Sequence, residues 1–154
     1  MKSNIFALVL FLSLYTWAQE IILSATVQQK WSKGYIEIKK DLDASSLDSL
    51  TLLSKNPNNE PVNINIEIRD SESTDYWSRV NYYVSLPPNT SEIHIPLNLR
   101  VGDTSRPGRV LNKAKLRSII FARVDHADQE IPIYIQKIIL KKDTNTTPVG
   151  IHAY

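Results

Sequence analysis

Apolar and polar side chains alternate residue by residue from Pro61 to Arg69. Val62, Ile64, Ile66 and Ile68 fall on one side, and Asn63, Asn65, Glu67 and Arg69 on the other. A period of two is the signature of a strand with one buried face, and it excludes a helix over the same span. The pattern repeats from Tyr76 to Leu86, where Val80, Tyr82, Val84 and Leu86 oppose Trp77, Arg79, Asn81 and Tyr83. Ile93–Leu97, Lys115–Asp125 and Ile131–Lys142 complete the strong strand candidates, rich in the β-branched residues that suit a pleated surface. Ile21–Gln29, Tyr35–Lys39 and Ser49–Lys55 are weaker ones.

Turn chemistry separates these runs: Asn56-Pro57-Asn58-Asn59, Pro87-Pro88-Asn89-Thr90, and Gly102-Asp103 through Arg106-Pro107-Gly108. No long segment carries a helical apolar stripe, although Leu111-Asn112-Lys113-Ala114 suits a single helical turn. Short strands and polar turns predict an all-β domain, a jelly-roll β-sandwich of about eight antiparallel strands. Tyr76, Tyr82, Ile93 and Phe121 read as core.

The first residues predict a compartment. Lys2 precedes the apolar run Ile5–Leu14, and Thr16-Trp17-Ala18 offers small residues at −3 and −1. This is the pattern of a secretory signal peptide over residues 1–18, cleaved after Ala18, because the run falls short of the ~20 apolar residues of a spanning helix. The expected domain then covers residues 19–143, with a tail over 144–154, in a secreted or periplasmic protein. The chain has no Cys, so an exported domain of this size must rely on its core. Its 18 Lys and Arg against 16 Asp and Glu give no concentrated basic character, which argues against nucleic acid or an anionic membrane as the main partner. Nothing after the leader approaches membrane-span hydrophobicity, so no membrane insertion is expected.

The run Asn56-Pro57 … Pro61 to Asp70, followed by Asp75-Tyr76-Trp77-Ser78-Arg79-Val80-Asn81-Tyr82, resembles the galactose-binding-like β-sandwich modules attached to agarases and related polysaccharide-degrading enzymes. Ile93-His94-Ile95-Pro96-Leu97, Ser105-Arg106-Pro107-Gly108-Arg109 and Ile133–Leu140 keep that family's order, so the resemblance covers about Ser49 to Lys142. It implies a jelly roll and a non-catalytic role on carbohydrate, with a separate glycoside hydrolase as companion. The chain departs from it at Gln136 and Lys137, where members often carry Asp.

If the two alternating runs pair as a hairpin, Asn65, Glu67 and Arg79, Asn81 share an outward face with Trp77 and Tyr83. Aromatic rings stack on the apolar faces of sugars, while amide, guanidinium and carboxylate groups bond their hydroxyls. The expected function is therefore polysaccharide binding on this face. The rival reading is an interaction or structural module that docks a protein through the same face or an exposed edge strand. Arg106 and Arg109 are further candidates, able to clasp a sulfate or carboxylate, or else to serve the turn itself. The loop Asp70-Ser71-Glu72-Ser73-Thr74-Asp75 has an oxygen-rich composition that could take calcium, without an EF-hand pattern, or else is an ordinary solvated turn. By analogy with the family's fold, an ion could also bridge the ends of the domain at Glu20 and Asp143. No other cofactor is expected.

Catalysis has little to draw on. There is no thiol, His94, His126 and His152 lack metal-ligand spacing, and no G-x-S-x-G accompanies Asp125-His126. Glu67 is the one carboxylate to watch beside the aromatics. Asn89-Thr90-Ser91 and Asn145-Thr146-Thr147 match the glycosylation sequon.

Overall fold

The computed structural model describes residues 20–22, 29–31, 35–124 and 132–142. The expected leader and tail, Asp125, His126, Asp143, His152 and the second sequon lie outside them. The described residues are built of strands: β1 Glu20–Ile22, β2 Gln29–Trp31, β3 Tyr35–Leu42, β4 Ser49–Asn56, β5 Val62–Asp70, β6 Val80–Leu86, β7 Asn89–Pro96, β8 Arg100–Gly102, β9 Pro107–Val110, β10 Leu116–Arg123 and β11 Ile133–Lys141. One 3-10 turn, Lys113–Lys115, sits where a single helical turn was expected.

Two sheets form. One runs β1-β11-β4-β7 with β2 also on β11, and the other runs β3-β10-β5-β6-β8-β9. All pairings are antiparallel except the brief one between Val80 and Gly102. The chain therefore is the expected β-sandwich. β5 and β6 pair as read from the sequence, with Ile64 opposite Val84 and Ile68 opposite Val80.

Register turns the alternation into a core. In the six-stranded sheet, Ile38, Ile119, Ile68 and Val80 form one inward row, and Ile36, Phe121, Ile66 and Tyr82 the next. In the facing sheet, Leu140, Leu50 and Ile95 align, as do Ile138, Leu52 and Ile93. These rows meet in one apolar cluster. Each fully buried Leu, Ile or Phe contributes about 1.5–3 kcal/mol, which is how a domain without disulfides holds together.

Asn56 fastens the crossing between sheets. Its side-chain amide donates to the carbonyls of Glu60 and Leu86, at 2.9 and 3.0 Å. Its oxygen accepts from the backbone N–H and side chain of Asn58. The turn Asn56–Asn59 is thus tied to the end of β6, where Pro87-Pro88 carries the chain to β7 and Asn89 takes φ 75°.

Candidate functional site

The face of the six-stranded sheet turned away from the core is ordered in rungs. Tyr35, Ala122, Asn65 and Tyr83 lie side by side across β3, β10, β5 and β6. The next rung is Glu37, Ile120, Glu67 and Asn81, and the one beyond it Lys39, Ser118 and Arg69. On the first rung two tyrosines stand up, 66% and 53% exposed, about three strand spacings or ~14 Å apart. Between them Ala122 is too small and Asn65 too deeply buried to fill the space. The rung therefore has an exposed tyrosine at each end and a small and a buried side chain between them, and this stretch is called the trough below. Ile120, between Glu37 and Glu67 on the second rung, is buried on this outward face, outside the core cluster.

The structure brings together most of the expected site residues, but in a different arrangement. Asn65, Glu67 and Asn81 do share the outward face, but all three are nearly buried there. Asn65 Nδ2 donates to Asn81 Oδ1 at 3.1 Å. Asn81 Nδ2 in turn donates to the carbonyls of Tyr76 and Gly102. The Glu67 carboxylate lies between two guanidiniums, Arg69 at 3.1 Å and Arg79 at 2.9 Å. Desolvated carboxylates and amides need such partners, because an unmatched one costs about 1–3 kcal/mol or more. These side chains form the floor that holds the aromatics.

Trp77 does not belong to a strand. β6 starts at Val80, and residues 71–79 make a loop, so the sequence reading of a strand from Tyr76 is corrected. The cause is a set of short-range caps: the Asp75 carboxylate accepts from the N–H of Ser78, and the Ser78 hydroxyl accepts from the N–H groups of Thr74 and Asp75. Such local bonds compete with a ladder. Trp77, 41% exposed, meets the Tyr76 ring edge-on at 4.9 Å, and the Arg106 guanidinium lies 5.2 Å over its ring. Tyr76 also departs from the core reading. Its hydroxyl donates to Asp103 at 2.8 Å and meets the Tyr83 hydroxyl at 3.1 Å, which fixes Tyr83 as the donor of that bond. Tyr83 first, and then Asp103, push the Tyr76 phenol well above its ordinary range. Arg79 stacks over the same ring at 5.5 Å. Loop, floor and tyrosine wall are thereby one connected assembly.

Arg106 and Arg109 part company. Arg106 reaches Trp77, whereas Arg109 grips Asp70 and touches the Ser78 carbonyl, so its guanidinium is taken up in the fold. The acidic loop is likewise used internally: Asp70 faces Arg109, and Asp75 caps Ser78. Among the described residues, no three acidic or histidine side chains converge to hold a metal ion.

Sequence reasoning missed Tyr35. Its signal was the alternation of Tyr35, Glu37 and Lys39 against Ile36 and Ile38, but only the pairing of β3 with β10 places it opposite Ala122 on the first rung.

No known sequence family and no curated protein matches the chain. Solved structures do. CtCBM11, a family 11 carbohydrate-binding module, superposes with a TM-score of 0.56 at 13% identity, covering 86% of this chain and all of its own. PfGH50B gives 0.55 at 16% identity over 72% of this chain, and the agarase AgWH50C 0.55 at 9% over 71%. The chain spans under a fifth of those two, at 19% and 18% of their lengths. At such identities the likeness is one of fold. The shared fold is a β-sandwich, as the sequence resemblance implied.

Proposed function

We propose that the protein is a non-catalytic glycan-binding module that takes a polysaccharide chain along the outward face of the six-stranded sheet. The observation that carries this reading is the placement of exposed aromatics: Tyr35, Trp77 and Tyr83 all stand on or beside that face. Apolar rings left in water are stabilised by covering them, and sugar C–H faces do so while their hydroxyls meet the part-exposed Arg79 guanidinium, which Asn65, Glu67 and Asn81 hold in place from below. The fold shared with CtCBM11 supports the ligand class, and the fold shared with a portion of an agarase supports action beside a glycoside hydrolase.

A binding role suits the chemistry better than catalysis. Both Glu67 oxygens are taken by guanidiniums, and Asp103 is held by Tyr76, Ser105 and the N–H of Arg106. Neither is free to move a proton at a glycosidic oxygen. Export is part of the proposal, on the strength of the leader-like residues 1–18.

The test is a glycan-array screen of the protein beside Trp77→Ala, with and without calcium. Binding of a polysaccharide class that weakens in the variant supports the reading. Silence from a folded protein across neutral, sulfated and plant glycans rejects it in favour of a protein-docking module.

A further inference from the structure

The outward sheet face has a second feature, two rungs along the strands from Tyr35 and Tyr83. There a pocket of about 420 Å³ opens, bordered by Lys39, Lys40, Arg69, Arg117, Ser118 and the carboxylates Glu37 and Asp41. Asp70 also lies at its edge, but Arg109 holds both of its oxygens. Glu37 is matched by Lys39 at 3.5 Å. Among the described residues Arg69 bonds one carboxylate, Glu67, and shares it with Arg79. Among the described residues Lys40 and Arg117 have no ion-pair partner, and Asp41 is the one acidic neighbour left for them. Positive charge is therefore in excess around this opening. Moreover, the Arg69 Nε–H is buried without an acceptor. A buried N–H with nothing to bond is unfavourable, and a small turn of the Arg69 side chain toward an oxygen in the pocket would relieve it.

We infer that this pocket receives an acidic substituent of the glycan, a sulfate ester or a uronate carboxylate, while neighbouring sugar rings lie in the aromatic trough; the inference rests on the glycan-binding reading above. Guanidinium groups bond planar and tetrahedral oxyanions through charge-assisted hydrogen bonds, and mobile lysines add screening charge around them. A neutral hydroxyl satisfies the Arg69 Nε–H but leaves the surplus charge of Lys40 and Arg117 unmatched. The geometry fits a chain rather than one ring. Four residues along a strand separate the tyrosine rung from the pocket, about 13 Å, which is the scale of an oligosaccharide.

The experiment is calorimetric titration of the purified protein with three probes: a sulfated galactan oligosaccharide, its chemically desulfated counterpart, and an oligogalacturonate. Each is measured at low and at high NaCl. An acidic probe should bind at least about tenfold more tightly than the desulfated one, with the advantage shrinking as salt screens the charges. The preferred acid separates sulfate from carboxylate. Lys40→Ala with Arg117→Ala should bring the acidic probe down to the neutral level without weakening the neutral one, and Arg117→Lys should keep most of the preference. Both altered side chains are exposed, so folding is expected to survive, and circular dichroism checks it. Equal affinity for acidic and desulfated probes, or a preference that persists in the double variant, overturns this inference while leaving glycan binding intact. Silence of the folded protein toward all three probes removes both.

Discussion

Arg109 closes on Asp70 with two parallel hydrogen bonds, 2.6 and 2.7 Å long, between residues 39 apart in the sequence. The Asp70 side chain is wholly buried, and it also accepts from the N–H groups of Glu72 and Asn112. One carboxylate thus joins the end of β5, the loop that carries Trp77, and the segment after β9. The candidate site rests on this joint.

A pH dependence follows. Burial raises the Asp70 carboxyl, but the Arg109 guanidinium and the backbone N–H groups outweigh it and hold it at about 2, below its usual 3.8. A depressed carboxylate stabilises the fold above its unfolded value and loses that contribution as pH falls through its folded value. On the order of 2 kcal/mol should therefore be lost between pH ~4 and pH ~2. Urea unfolding across that window checks it, and Asp70→Asn should be less stable at neutral pH and much flatter in its acid response.

Gly102 is held at φ 86°, and a Cβ there would run into the Arg106 carbonyl. Gly102→Ala should destabilise by about 1–3 kcal/mol, since both the dihedral and the contact disfavour a side chain. Because Asn81 donates to the Gly102 carbonyl, the change should also disturb the trough floor. Thermal unfolding, together with the fluorescence of Trp77 in a Trp31→Phe background, reads both effects.

Glu67→Ala leaves the Arg69 and Arg79 guanidiniums facing each other without a carboxylate. The expected cost is roughly 2–3 kcal/mol, below the 3–5 of a fully buried pair because both arginines keep contact with water. Glycan affinity should fall with it, as the floor under Tyr83 loosens. Chemical denaturation and binding measured on the same variant separate the two losses.

Much of the architecture is legible in the sequence because strand alternation is a local signal. The run Val62–Ile68 names its own buried face, and its pairing with Val80–Leu86 follows from nearness in the chain. The site is less legible, because its parts meet through long-range register. Asn65 and Glu67 alternate outward like ordinary surface residues, yet Asn81, Arg69 and Arg79 bury them. Tyr76 carries the parity of a core residue, yet Asp103 and Tyr83 draw it outward. Arg109 looks like a free cation on a turn until Asp70 is seen beneath it. Each of these outcomes depends on a partner that no window of ten residues contains.

The most direct test of glycan binding in the trough is calorimetric titration of the wild-type protein, Tyr83→Ala and Tyr35→Ala with the best ligand from the array. Both rings are largely exposed, so both variants should fold. Each should bind about tenfold more weakly, corresponding to the loss of roughly 1–1.5 kcal/mol of stacking. Unchanged affinity in both variants would contradict the assignment of the ligand to this face.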